Sequence, residues 1–350
     1  MATLEYTVFN RNKKYLRLRG LYSFLTTVFI ITLYEYYVRT PPLVVRTRVA
    51  VVITITKKPS AGGYLDGAGV LANSAKRNLK NDENELDFIA LCGPDASGWG
   101  EETFRLIQSA GWKPKLVTTP INVPDIKGKV LRDSIEKSGC CGASELIKLE
   151  AFNLDYDRVL LLDSDALIVD QMDDIIAKNE TRVAWTMDEN LGGGCINGGF
   201  LALTPSADDY RSLVNTIIEG DFRSSAGWGG KVGWCYGGQT FQGIIPYYFK
   251  FLHDSENGDR FIELNNAKYN YMAFEEDPRV SALDLKSVHF TVCQKPWNCY
   301  RGASDRCSLL HTMWWNERNL LEKTLNIPIS KVCNNQKDYL PLIKMREMRK

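Results

Sequence analysis

Arg158-Val159-Leu160-Leu161-Leu162 is a β-compatible run that ends on Asp163-Ser164-Asp165. As an apolar β-type run it delivers two carboxylates, separated by one residue, to the carboxyl end of a strand. The two carboxylates at its end cannot be buried unpaired, since an isolated ionised group is expensive to remove from water. Open α/β sheets bind ligands at the carboxyl ends of their strands. An oxygen-seeking divalent cation together with a diphosphate would neutralise such a pair. Taken alone, the D-x-D spacing equally describes a solvated turn or a helix cap, so the rest of the chain has to decide.

The flanking pattern alternates. Val49–Thr56 reads as a buried strand, Leu65–Lys80 as a helix on its Leu and Ala spacing, Leu86–Leu91 as a strand, Glu101–Ala110 as a helix and Lys115–Thr118 as a strand. Ala143–Asn153 follows as a helix before the Asp163 strand. Arg182–Thr186 and Gly199–Leu203 are further strands, and Pro205-Ser206 starts a helix over Ala207–Glu219. This alternation predicts an α/β domain with a mixed, mostly parallel sheet. Between Gly220 and Gly238 the composition shifts to Gly, Ser and Trp. That suits either an exposed loop offering Trp228 and Trp234 to a sugar ring, or an irregular loop pinned to the core by those rings.

The chain has 350 residues, 43 of them Lys or Arg and 42 Asp or Glu, so it carries no electrostatic footprint for a nucleic-acid backbone. Basic residues Arg11, Lys13, Lys14, Arg17 and Arg19 precede the apolar run Leu21–Val38. Basic residues first and no small-residue exit predict an uncleaved signal anchor, with a cytosolic tail over 1–20, the membrane helix over 21–38 and a short stem over 39–48. A surface or core helix is the alternative, which Glu35 favours. The catalytic domain is expected over 49–335, followed by a basic tail over 336–350. All nine cysteines lie beyond Leu21–Val38, as disulfides in an oxidising lumen would require, and their odd number leaves at least one unpaired. Asn179-Glu180-Thr181 is one glycosylation sequon.

Several ordered segments carry a resemblance. Val52-Ile53-Thr54-Ile55-Thr56 with Tyr64 and Gly67-Ala68, then Lys148-Leu149, Tyr156 through Asp165, Asp188, Asn197-Gly198-Gly199-Phe200, and His289-Phe290 with Lys295-Pro296-Trp297-Asn298 resemble glycosyltransferase family 8, the glycogenin-like group. The resemblance covers roughly Val49 to Asn298 and implies a single Rossmann-like GT-A domain. It also implies Mn²⁺ held by Asp163, Asp165 and His289, and donor contacts from Thr54, Thr56, Tyr64, Lys148, Asp163, Ser164, Asn197, Gly198, Gly199 and Trp297. Catalytic roles are implied for Gln242, Lys295 and Asp188.

Elementary chemistry fits these assignments. Tyr64 can stack a flat base, an imidazole beside two carboxylates suits Mn²⁺ better than Mg²⁺, and Lys295 can neutralise charge building on a departing diphosphate. Among His253, His289 and His311, the one between the strand-like Leu285–Val288 and Lys295 is preferred as a ligand.

Two positions depart from the family. Gly237-Gly238-Gln239-Thr240-Phe241-Gln242-Gly243 puts Phe241 where an acidic residue is usual, and Val292 stands where a glycine approaches the diphosphate. The expected activity is retaining transfer of a sugar, hexose foremost, from a UDP donor to a glycan or glycoconjugate acceptor. The expected place is the lumenal side of a Golgi membrane as a single-pass type II protein. Two other readings stand beside it: self-glucosylation at Tyr269 or Tyr271, and an inactive lumenal sugar-binding relative.

Overall fold

The computed structural model describes residues 22, 25–30, 46–60, 62–80, 83–177, 181–188, 192–252, 260–273, 284–299, 304–333 and 335–342. The chain divides after Arg46. In the first unit, residue 22 and residues 25–30 are helical and exposed, while most of the expected anchor and the basic tail before it lie outside the described residues. No helix among the described residues is long and apolar enough to cross a membrane.

The second unit is built on a seven-stranded sheet. Its strands are β1 (Thr47–Ile55), β2 (Asn84–Cys92), β3 (Lys113–Leu116), β4 (Arg158–Leu162), β6 (Val183–Met187), β7 (Ile196–Leu203) and β8 (Phe261–Glu263), in the order β8-β6-β7-β4-β1-β2-β3. Only β7 runs antiparallel to its neighbours β4 and β6. The mixed, mostly parallel sheet expected from the alternation is therefore present. Val49 to Ile53 of β1 and Val159 to Leu162 of β4 are at most 1% exposed. Side chains of this kind contribute about 1.5–3 kcal/mol each on burial, so the two central strands anchor the domain.

Helix α1 (Tyr64–Leu79) buries Leu65, Ala68, Leu71, Ala72, Ala75 and Leu79 on one face of the sheet together with α2 (Glu101–Ser109). On the other face lies α3 (Ala207–Glu219), whose boundaries follow from its caps. Ser206 accepts from the Asp209 amide, and Gly220 closes the helix at φ +69°.

The expected helix over 143–153 is instead a 3₁₀ run from Gly142 to Asn153. Nine of its twelve residues are buried, so packing between sheet and α3 overrides any amphipathic period. The tighter winding stacks residues three apart, which aligns Glu145 with Lys148. Beyond the predicted elements, α4 (Asp305–Thr324) starts at an N-cap made by Ser304. The basic tail also differs from expectation at its start. Tyr339 and Leu342 both donate to the Asp66 carboxylate, at 2.5 and 3.0 Å, so the domain continues through 342, and the remaining tail residues lie outside the described residues.

Six cysteines pair as Cys195–Cys235, Cys293–Cys307 and Cys299–Cys333, while Cys92, Cys140 and Cys141 are free. The sequon residues Asn179 and Glu180 lie outside the described residues, as does His253.

Candidate metal and donor site

β4 ends at Leu162, and the turn after it is closed by the Ala166 amide donating to the Asp163 carbonyl at 3.0 Å. A short strand β5 (Ala166–Ile168) then pairs antiparallel with β9 (Ser287–His289), setting His289 opposite Ala166. The Phe290 amide donates to the Asp165 carbonyl at 2.9 Å. Two segments far apart in sequence are thus locked side by side. Asp163, Asp165 and His289 each present a ligand atom, all within 4.8 Å of one another. His289 Nε2 lies 3.3 Å from Asp165 Oδ1 and 3.9 Å from Asp163 Oδ2.

The imidazole is oriented from behind. Its Nδ1 is 3.1 Å from Asn197 Oδ1, an oxygen that also accepts from Asn270 Nδ2 and from the Gly199 amide, both at 3.0 Å. A protonated Nδ1 satisfies that oxygen and leaves the Nε2 lone pair facing the carboxylates, the tautomer a metal requires. Asn197 Nδ2 in turn donates to Asp188 at 3.0 Å. Asp188, for which the resemblance implies a catalytic role, and Asn197, implied as a donor contact, are both buried and engaged in holding His289. Gly199 is needed here because a Cβ would sit 2.3 Å from the His289 ring.

Two lysines complete the charge pattern. Lys148, buried rather than on the surface, reaches Asp163 at 3.0 Å, Glu145 at 3.2 Å and the Gly198 carbonyl at 2.8 Å, which uses all three of its protons. Burial pushes its pKa down, but Asp163 and Glu145 outweigh that and hold the ammonium charged. Lys295 contacts both the Asp165 carboxylate and the Phe290 carbonyl. Burial pushes the Asp165 carboxyl up, yet His289 and Lys295 more than reverse this and keep it below the usual carboxylate range. Two carboxylates and one imidazole, mostly buried and already facing cations, form a donor set that fits a divalent metal ion.

Around this centre the other expected residues divide. Tyr64, 58% exposed, lies edge-on against Trp297 with ring centroids 5.3 Å apart. Trp297 itself is buried, packed also on Trp314 and over Gly67, so it backs Tyr64 rather than meeting a ligand. Thr54 and Thr56 are half-buried at the carboxyl end of β1, and Ser164 is half-buried between the two aspartates. Gln242 accepts from the Gly198 amide at 3.0 Å and donates to the Tyr236 carbonyl at 2.8 Å. Phe241 is wholly buried, with the Lys148 ammonium 5.7 Å from its ring centroid. Val292 is half exposed.

Glu145 was not among the expected residues. Its carboxylate bonds Lys148 and, at 2.8 Å, the Thr240 hydroxyl, immediately before Phe241. A buried carboxylate therefore exists beside the position where Phe241 has none. The Glu-x-x-Lys spacing was its signal. Asn270, the other missed residue, sits in the left-handed region at φ +54°, and only an Asn between two tyrosines hinted at it.

In the Gly-rich stretch Trp228 is a core residue whose Nε1 donates to the Gly238 carbonyl at 2.8 Å, while Trp234 and Tyr236 are 49% and 61% exposed. Tyr269 and Tyr271 are buried, the first donating to Asp174 at 2.5 Å and the second accepting from Arg306 at 2.9 Å. Neither hydroxyl is placed as a sugar acceptor.

No family model matches the chain. Two Arabidopsis thaliana proteins are similar in sequence. UDP-glucuronate:xylan alpha-glucuronosyltransferase 1 is 22% identical over 278 residues, covering 76% of this chain and 37% of that protein. A second, provisionally named UDP-glucuronate:xylan alpha-glucuronosyltransferase 5, is 23% identical over 290 residues, covering 77% of this chain and 42% of that protein. The chain thus spans about two-fifths of the length of these curated relatives. The apo form of glycosyltransferase GlyE from Streptococcus pneumoniae TIGR4 superposes with a TM-score of 0.46 at 16% identity, over 80% of this chain and 63% of that one. Over about three quarters of its length, then, the chain is similar in sequence to glycosyltransferases.

Proposed function

We propose that this chain is a UDP-sugar-dependent, retaining glycosyltransferase of the family 8 kind, with a GT-A domain and Mn²⁺ as its cation, transferring a hexose or hexuronic acid to a glycan or glycoconjugate hydroxyl. The observation that carries this reading is the meeting of Asp163, Asp165, His289 and Lys295 at the carboxyl end of the sheet, beside the exposed ring of Tyr64. The uronic acid enters because both Arabidopsis relatives are named for a UDP-glucuronate donor.

Mn²⁺ held by Asp163, Asp165 and His289 would supply positive charge for the donor diphosphate. Tyr64 offers a stacking face for the base. Lys295 stabilises the negative charge that grows on the leaving phosphate as the anomeric carbon–oxygen bond breaks. The acceptor oxygen bonds to that carbon, and its proton passes to a phosphate oxygen. Gln242, held on both sides by the Gly198 amide and the Tyr236 carbonyl, fixes the shape of the pocket wall. Retention rests on the family resemblance. Residence in the Golgi lumen behind a membrane anchor is supported by the three disulfides and by the basic residues that precede Leu21–Val38.

The test is UDP release from UDP-glucose, UDP-galactose, UDP-N-acetylglucosamine, UDP-xylose and UDP-glucuronate with Mn²⁺, with and without a chelator. Chelator-sensitive release from at least one donor, absent in Asp165→Ala, is expected. No release above blank from any donor would overturn the reading.

A further inference from the structure

Cys140 and Cys141 are adjacent in sequence, and their sulfurs lie 2.7 Å apart, against the ~2.05 Å of a bonded pair. They differ from the other cysteines in their surroundings. Six are in disulfides and Cys92 is fully buried, whereas Cys140 is exposed and Cys141 half-buried. Their loop spans the candidate site. On one side the Thr56 hydroxyl, just beyond the end of β1, points at Cys141 Sγ from 3.9 Å. On the other, Ser138 donates to Gln239 at 2.7 Å, and a Cβ on Gly139 would lie 3.2 Å from Gly237 Cα. The same loop leads directly into Glu145 and Lys148. A covalent change at 140–141 is therefore coupled by contact to the end of β1, to the Gly237–Gln239 turn and to the Lys148 network.

We propose that Cys140 and Cys141 are a modification site, closing into a vicinal disulfide by exchange with a small-molecule disulfide of the oxidising compartment, and that this closure favours binding of the nucleotide. In the exchange a Cys141 thiolate attacks one sulfur of the small disulfide, releasing one thiolate and forming a mixed disulfide. The Cys140 sulfur, giving up its proton, then displaces the second thiolate. Two cysteine thiols and one disulfide become one vicinal disulfide and two small thiols.

The hydrogen bond from Cys140 brings the Cys141 thiol down to about 6, which supplies the attacking thiolate, while the same bond and burial push Cys140 up. In the reduced state that thiolate stands in the loop joining the two sides of a site meant for a diphosphate. Closing the pair removes the charge. The inference about nucleotide binding rests on the function proposed above, but the disulfide itself does not.

The experiment uses the full chain made in a eukaryotic secretory pathway, with thiols blocked by N-ethylmaleimide before proteolysis. The peptide holding Cys140 and Cys141 is expected to escape alkylation and to be lighter by two hydrogens. After mild reduction that leaves the other three disulfides intact, it should take two alkyl groups. The same reduction should weaken UDP binding, measured by calorimetry with Mn²⁺, about two- to threefold, the size expected for one nearby charge partly screened by water. A protein with both Cys140→Ser and Cys141→Ser should show no response to the reductant. Full alkylation without reductant overturns the disulfide, and therefore the proposal. A disulfide whose reduction leaves UDP affinity unchanged overturns its coupling to the nucleotide. Absence of UDP binding in both states, with the peptide still lighter by two hydrogens, counts against the proposed function and the coupling but leaves the disulfide established.

Discussion

Lys295 places its ammonium on the carboxylate of Asp165, the same group that faces His289 Nε2 from 3.3 Å. Lys295 and the proposed divalent cation would therefore compete for Asp165. Lys295→Met is expected to tighten Mn²⁺ binding severalfold while lowering UDP-sugar turnover about 100-fold or more, the scale on which removing one preorganised charge from a transition state is felt. Metal titration by calorimetry and initial rates on the same preparation would check it. Mn²⁺ affinity and rate falling together would show that Lys295 only supports the fold of the site.

Asn197 holds His289 without being placed as a ligand. Asn197→Leu keeps the volume but removes the oxygen that fixes the imidazole tautomer, and Mn²⁺ affinity should fall about 10- to 100-fold. A circular-dichroism melt close to that of the parent, beside the weakened titration, would locate the effect in the ligand rather than in the sheet.

Gly199→Ala puts a methyl group where only 2.3 Å separates it from the His289 ring. Either the ring or strand β7 must move, and overpacking of this kind costs about 1–3 kcal/mol. Urea unfolding should show that loss, and the Mn²⁺ isotherm should weaken with it.

Glu145→Ala takes a buried carboxylate from Lys148 and a hydrogen-bond acceptor from Thr240. Breaking a buried pair by deleting one partner costs on the order of 3–5 kcal/mol, here lessened because Asp163 still faces the lysine. Chemical denaturation would measure it, and Glu145→Gln, which keeps the hydrogen bond to Thr240, should recover part of the loss.

Burial raises the Cys92 thiol from 9.0 to about 11. Folding thus favours the protonated form. The contribution is fully present below the ordinary thiol value and is lost as pH rises from about 9 toward 11, by no more than ~1.4 kcal/mol per pH unit. Native Cys92 should resist alkylation at pH 9 and react once denaturant is added, whereas reaction in the native state at the rate of a free thiol would show that the strand end is open.

The sheet was legible because its signals are local. β1 and β4 are uninterrupted apolar runs, and α3 carries Ser206 and Gly220 at its ends. The candidate metal set, three side chains that come together in the fold, was legible through a spacing and a single well-placed histidine. The remainder depends on partners far along the chain. Helix α4 was not expected because Glu317, Arg318 and Glu322, with Arg318 paired to Glu322 at 2.8 Å, interrupt the buried face formed by Cys307, Leu310, Trp314 and Trp315. Glu145 is buried by contacts with Thr240, and Asn270 by contacts with Asn197 and Thr186, and neither environment leaves a mark on neighbouring residues. The helix expected over 143–153 failed in kind because a segment buried on nearly all sides answers to its neighbours' shape, not to its own periodicity.

The pairing of β5 with β9 has a consequence for the order in which the molecule is made. β4 can find β1 and β7 as soon as those strands exist, but the turn carrying Asp163 and Asp165 gains its histidine only after β9, far along the chain, has been synthesised. Closing so long a loop is slow and entropically costly. A nascent chain that has completed the sheet would still hold two carboxylates with no imidazole opposite them. Metal captured at that stage would be weakly held, and the site would reach full affinity only once β9 has paired with β5, in a segment that Cys293 and Cys307 tie to α4. Uptake of the proposed cation would thereby wait on a long-range strand pairing rather than on completion of the sheet.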